Sequence, residues 1–326
     1  MAELRWHPLT KDWVMIASHR QNRPQMPKDW CPFCPGSGKV PEQYDVFKYD
    51  NDFPALSQNP PVPDDVATEI YKTKEAYGKC EVILYSPEHT ITLPELSTDH
   101  VKKVVDLWVE RYNEIKKDEN IKYIFIFENR GEVVGVTMPH PHGQIYGYSF
   151  VPKKLQLELE SCKEYFEEKK RCLICDMLKD EVAFGQRIIF ENDDFIVFLP
   201  FFSEYPYGMY IASKNHMQNL AQFTESQKYN LAKAVREATG TLDSLFGYHF
   251  PYMMCMHQDP VNSGDHSEYY HFHIEFFPPM RSAEKQKFNA SSETGAWAHC
   301  NPTAPEEKAE ELRQAYKRFM DKDGNR

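Results

Sequence analysis

Two imidazoles two residues apart, in His140-Pro141-His142-Gly143-Gln144, are the part of this sequence best suited to chemistry. A strand-like run from Tyr123 to Glu128 (YIFIFE) leads toward them, and a second, Ile145 to Phe150 (IYGYSF), leads away. Packing alone selects neither the proline, which removes a ladder donor, nor the glycine, which weakens a strand. Phosphoryl handling needs all of them. A neutral imidazole attacks phosphorus, a glycine lets main chain approach the phosphate, and an uncharged amide donates to its oxygens. A second reading starts from strand geometry, which turns residues two apart to the same side. His140 and His142 would then share one metal, since histidine is the commonest metal ligand.

The rest of the chain decides between these. Eight cysteines in 326 residues do not suggest a disulfide scaffold, and four of them form two C-x-x-C pairs, Cys31/Cys34 and Cys172/Cys175. Such pairs point to metal or redox work. The formal net charge of -11, without a Lys/Arg-rich block, argues against nucleic acid as a partner. Against that acidic background Arg20 and Arg23 stand out, and two close arginines suit a phosphate or diphosphate. No apolar run is long enough to span a membrane and the N-terminus lacks a signal-peptide core, so the expectation is a soluble, cytoplasmic protein. The hydrophobic content of 41% is that of a globular chain with a substantial core.

Read in order, the second half replays the first. Cys31-Pro-Phe-Cys34 is answered by Cys172-Leu-Ile-Cys175, and Asn51-Asp52-Phe53 by Asn192-Asp193-Asp194-Phe195. The strand EVILY leads through Ser86-Pro87-Glu88 to His89, as GMYIAS leads to His216. A helical stripe of Val101, Val104, Val105, Trp108, Tyr112 and Ile115 is matched by Leu231, Ala234, Val235, Ala238, Leu242 and Leu245, with Thr224 and Gln227 as a capping box. A strand around Tyr252 to Met256 then precedes His271-Phe272-His273-Ile274-Glu275, which answers the pentapeptide. The offsets are 141 residues at the cysteines, 142 at Phe53/Phe195, 127 at His89/His216 and 131 at His140/His271. So many ordered matches describe a duplicated α+β unit, residues 1–152 and 153–326.

The duplication assigns ligands. Cys31, Cys34, His89 and His140 form one set, and Cys172, Cys175, His216 and His271 the other. Cys₂His₂ is a closed tetrahedral zinc set, structural more than catalytic; iron also accepts mixed ligands at the second. With His140 on the metal, His142 is left as nucleophile, its direction set by the clamped neighbour. In the second copy Glu275 replaces Gln144, and a carboxylate there repels phosphate, so catalysis is expected in the first copy alone.

Together, HPHGQ (His140 to Gln144), Cys31-x-x-Cys34, Ser86-Pro87-x-His89-x-x-x-Leu93-Pro94-Glu95-Leu96 and Asn51-Asp52-Phe53 resemble the galactose-1-phosphate uridylyltransferase family, the transferase branch of the histidine-triad superfamily. The resemblance runs over nearly the whole chain. It implies a duplicated histidine-triad-like unit with a mostly antiparallel sheet flanked by helices. It also implies a ping-pong reaction in galactose metabolism. His142 takes UMP from UDP-glucose, glucose 1-phosphate leaves, and galactose 1-phosphate collects the uridylyl group as UDP-galactose. By the same resemblance a backbone carbonyl orients the nucleophile and Gln144 donates to the transferred group. Asn51 and Asp52 are expected on uridine and ribose, Arg20 and Arg23 near the phosphates, and Asn129, Gly135 and Thr137 along the diphosphate. Lys287 and Glu293 fall at the hexose, and a homodimer sharing its sites is implied.

The chain departs from the family in three places. TGAWAHCNP after Glu293 lacks the glutamine of well-known members, with His299 near its place, which leaves the hexose open. Well-known bacterial members build the second metal site from a glutamate and three histidines. Glu158 and His257 fit as relics of that set, but Cys172 and Cys175 resemble the zinc-type variant of a sister branch and are preferred. Counting back from Phe277-Pro278-Pro279 also offers a second register, which aligns His273, not His271, with the family's first histidine. Three rival functions differ at single positions. The sister nucleotide-sugar phosphorylases (ADP-glucose or UTP–hexose-1-phosphate type) tend to carry serine where this chain has Gly143. The related hydrolases carry histidine at Gln144, and a non-catalytic two-zinc nucleotide-binding protein would have no need of an intact pentapeptide beside a decayed copy.

Overall fold

The computed structural model describes residues 2–22 and 30–324; Arg23 lies outside them. In chain order the elements are β1 (Glu3–His7), β2 (Asp12–Ile16), β3 (Phe47–Asp50), β4 (Thr73–Glu75), β5 (Gly78–Leu84), α1 (Thr98–Ile115), β6 (Tyr123–Arg130) and β7 (His142–Tyr148). The second half continues with α2 (Lys153–Lys169), α3 (Leu173–Phe184), β8 (Ile188–Glu191), β9 (Phe195–Phe198), β10 (Tyr210–Ser213), α4 (Glu225–Phe246), β11 (Tyr252–His257), β12 (His273–Phe276), α5 (Ser291–Ala296) and α6 (Pro305–Asp323). Strand β7 starts at His142 itself, three residues earlier than the pattern IYGYSF suggests. Pro141 still adds its carbonyl to the ladder by accepting from the Tyr85 N–H at 3.0 Å.

Among the described residues, β1, β2 and β4 make a small sheet, and the other nine strands make one large antiparallel sheet in the order β3-β5-β7-β6-β11-β12-β10-β9-β8. The two repeats therefore join through the central β6–β11 pair and share one sheet. One difference separates the copies. After Asn51-Asp52-Phe53 comes Pro54, which cannot donate to a ladder, whereas Phe195-Ile-Val-Phe198 has no proline and runs on as β9 beside β10.

Helices α1 and α4 pack on one face of the sheet, with α6 against α4. Every residue of the stripe expected on α1 is buried there, each contributing roughly 1.5–3 kcal/mol. Ser97 caps α1 by accepting from the His100 N–H, and Thr224 and Gln227 form the capping box of α4. Opposed residues of antiparallel neighbours share a face. Val82, Gln144, Phe127, Cys255, Glu275 and Tyr210 thus form one row across the opposite face, with Gln144 of one copy level with Glu275 of the other. The second copy's share of this face lies under α2, whose Lys154 and Glu158 reach Glu275 and His257.

Candidate active site and metal centres

His142 opens β7 opposite Leu84, half-buried, with the Phe33 ring 5.7 Å from its own. Its Nδ1 lies 2.7 Å from the His140 carbonyl oxygen. A carbonyl only accepts, so Nδ1 carries the proton and Nε2 is the nucleophilic nitrogen. Gln144 follows two residues on, facing the same way, between Val82 and Phe127. Gly143 points to the helix-covered face. A Cβ there would stand 2.2 Å from the Tyr85 hydroxyl oxygen and 3.1 Å from the Phe127 carbonyl oxygen. On that face the missing side chain makes room for a buried tyrosine.

The first cysteine set is assembled. Cys34 Sγ lies 3.4 Å from His89 Nδ1 and 3.7 Å from His140 Nδ1, and Cys31 Sγ lies 3.8 Å from His140 Nδ1. Ligand atoms around a tetrahedral zinc stand about 3.5–3.8 Å apart at ordinary bond lengths, so the donor set fits that ion. His140 is fully buried and donates from Nε2 to the Ser86 carbonyl at 2.8 Å, which fixes Nδ1 as the ligand atom. Burial pushes its pKa down to about 4, keeping the ring neutral as a metal needs.

The second set repeats this down to the supporting carbonyl. Cys175 Sγ lies 3.4 Å from His216 Nδ1 and 3.3 Å from His271 Nδ1, with Cys172 Sγ 3.9 Å from the latter. His271 Nε2 donates to the Ser213 carbonyl at 2.8 Å. Ser86 precedes His89 by three residues as Ser213 precedes His216, a signal visible in the sequence whose second-layer meaning was missed. His271 thus stands in the internal repeat where His140 does, while His273 stands with Glu158 and His257, as the register counted back from Phe277-Pro278-Pro279 has it. His273 is the counterpart of His142, donating from Nδ1 to the His271 carbonyl at 3.1 Å. Beyond it Glu275, in Gln144's place, is ion-paired with Lys154 at 2.6 Å. Glu158, His257 and His273 form a third metal-capable group, with His257 Nδ1 2.8 Å from Glu158 Oε2, so the glutamate-histidine residues stand together beside the preferred cysteine set.

The remaining candidates divide. Asn129 and Thr137 line a cleft of ≈ 420 Å³ with His142, together with Arg130, Thr90, Thr92 and His249, which sequence reasoning did not single out. Gly135 closes the short helix before Thr137 at φ +82°, a left-handed conformation that favours glycine, with open space where a Cβ would stand. Asn51 closes a turn by accepting from the Phe53 N–H at 2.9 Å, and Asp52 accepts from the Tyr49 hydroxyl at 2.8 Å. Both follow β3: the Asn51 N–H donates to the Cys80 carbonyl at 3.4 Å, and Tyr49, which holds Asp52, is in the row of Val82 and Gln144. Arg20 is half-buried near Cys80, whose thiol is raised mainly by burial and lowered slightly by that guanidinium. Lys287 and Glu293 meet each other at 3.7 Å, with Lys287 over the Tyr205 ring, and Tyr205 packs on Phe277 beyond β12. Neither Lys287 nor Glu293 lines the cleft of the same chain.

Comparison with known proteins places this geometry. The family model described as galactose-1-phosphate uridyl transferase, N-terminal domain, matches residues 1–152, and the model for the C-terminal domain matches residues 158–320. A galactose-1-phosphate uridylyltransferase of Thermotoga maritima is 40% identical over 96% of this chain and 98% of its own length. One from Haemophilus influenzae is 31% identical over 95% and 93%. Among solved structures, a uridylyltransferase superposes with a TM-score of 0.90 at 30% identity, covering 97% of this chain and 99% of that one. An ADP-glucose phosphorylase from Arabidopsis thaliana shares the fold at 24% identity, with a TM-score of 0.74 over 96% and 99%. No helix among the described residues is long and apolar enough to cross a membrane.

Proposed function

The chain belongs to the galactose-1-phosphate uridyl transferase family, and on that premise we propose how its residues divide the reaction. It is an enzyme that moves UMP from UDP-glucose to galactose 1-phosphate. His142 Nε2 attacks the α-phosphorus, an N–P bond forms, and the Pα–O bond to the β-phosphate breaks as glucose 1-phosphate leaves. An oxygen of the galactose 1-phosphate phosphate then attacks the same phosphorus, the N–P bond breaks, and UDP-galactose departs. The observation that carries this reading is the 2.7 Å bond from His142 Nδ1 to the His140 carbonyl. It selects the reactive tautomer and stabilises the positive charge that uridylylation places on the ring.

Each Cys₂His₂ set holds a structural zinc in this reading, the second set accepting zinc or iron. The metal supplies rigidity, and His140 passes that rigidity to His142. Gln144 donates to the α-phosphoryl oxygens, Asn51 and Asp52 take the nucleoside, and Arg20 and Arg23 take phosphate charge. Asn129, Gly135 and Thr137 run beside the diphosphate. Lys287 and Glu293, outside the cleft of their own chain, serve the hexose of a second copy in a homodimer. Gly143, where the sister phosphorylases tend to carry serine, disfavours the phosphorylase alternative.

Gln144→Glu tests the transfer role separately from folding. The carboxylate removes a donor and adds a like charge, so adduct formation from UDP-glucose slows about 10²-fold or more. A rate close to that of the unaltered protein in rapid-quench mass spectrometry contradicts this role.

A further inference from the structure

The notch at Gly143 has a specific occupant. The Tyr85 side chain is fully buried, and its hydroxyl oxygen stands 2.2 Å, and its Cζ 3.0 Å, from where a Cβ on Gly143 would lie. Tyr85 cannot easily step back. Its N–H donates to the Pro141 carbonyl at 3.0 Å, and its own carbonyl accepts from His100 Nε2 at 2.7 Å. Its ring is edge-on to the buried Trp108 at 6.0 Å between centroids. The Glu128 carboxyl, itself held by the Tyr252 hydroxyl at 2.9 Å, lies close enough to raise the phenol's pKa further after burial. Tyr85 therefore touches the chain on both sides of His142: Pro141 through its main chain and Gly143 through its hydroxyl.

We infer that Tyr85 is a positioning residue for His142: its hydroxyl, seated in the notch at Gly143, fixes the height of β7 at the nucleophile, and position 143 is glycine because of that hydroxyl. The inference rests on His142 being the nucleophile. With the tyrosine held by its main chain and by Trp108, a side chain at 143 displaces β7 and carries His142 off line.

The test is a mutant cycle read in two quantities, the UDP-glucose dissociation constant by calorimetry and the rate of uridylyl-adduct formation by quenched-flow mass spectrometry. Gly143→Ala is expected to slow adduct formation about 10²-fold, as a misplaced reactive group does, while UDP-glucose affinity changes by less than about threefold. Tyr85→Phe alone removes the hydroxyl from the notch, leaves Cζ at its edge and slows the step about threefold. Tyr85→Phe/Gly143→Ala is expected to run at least about tenfold faster than Gly143→Ala, since the alanine methyl takes the hydroxyl's place. A double variant as slow as Gly143→Ala overturns the inference and returns the glycine to the phosphate. Should Gly143→Ala fail to fold, the double variant is set against the unaltered protein: a rate within about tenfold supports the inference and a larger loss overturns it. Absence of any adduct in the unaltered protein defeats the nucleophile reading itself, which separates the two failures.

Discussion

His142→Ala is expected to fold, keep both cysteine–histidine clusters and lose uridylyl transfer by about 10⁴-fold or more. The fold survives because His142 is only half-buried and is no member of the first metal set, whose imidazole ligands come from His89 and His140. Losing the hydrogen bond from His142 Nδ1 to the carbonyl of the buried His140 costs about 1–3 kcal/mol. The chemistry does not survive. No other imidazole offers its nitrogen from that position, and His273, which repeats the hydrogen bond in the second copy, sits beside Glu275 beneath α2. Metal content and circular dichroism like those of the unaltered protein, together with a lost galactose 1-phosphate turnover, are the expected results. Normal turnover contradicts the mechanism.

Cys31→Ser is expected to act on stability first. Cys31 is buried among Phe33, Val40, Tyr49, Val82, Leu84 and Met138, and its thiol lies 3.8 Å from His140 Nδ1. A hydroxyl there is a poor ligand for a borderline-soft ion. Losing the ion leaves buried donors uncompensated, at a cost of about 5 kcal/mol or more. For a chain of this size that is a fall in Tm of roughly 10 °C. Because His140 then has nothing holding Nδ1, His142 loses its fixed neighbour and transfer falls as well. A chelator should reproduce both losses. Elemental analysis showing the same metal content as the unaltered protein, with an unchanged Tm, contradicts the structural role.

What the sequence made legible was local or repeated. Cys31/Cys34 and His140/His142 are short-range spacings, and the second copy supplied an independent instance of each, so the ligand sets could be assigned before any contact was known. The helical stripes on α1 and α4 were equally plain, because a 3.6-residue period needs no tertiary information. What stayed hidden depends on contacts between distant segments. Gly143 could not be matched to Tyr85 without the strand register, which sets Gly143 opposite Ile83, two residues from Tyr85 on the same face. Nor does spacing reveal that Lys154 and Glu158, at the start of α2, reach across to Glu275 and His257. Lys287 and Glu293 pair with each other as neighbours in sequence suggest, yet nothing in their spacing shows that they stay out of the cleft lined by His142.

The most direct test is intact-protein mass spectrometry after mixing the protein with UDP-glucose and no acceptor. The expected result is a gain of one uridylyl group, mapped to His142 and discharged by galactose 1-phosphate. Full activity without any adduct, or an adduct on another residue, contradicts the account.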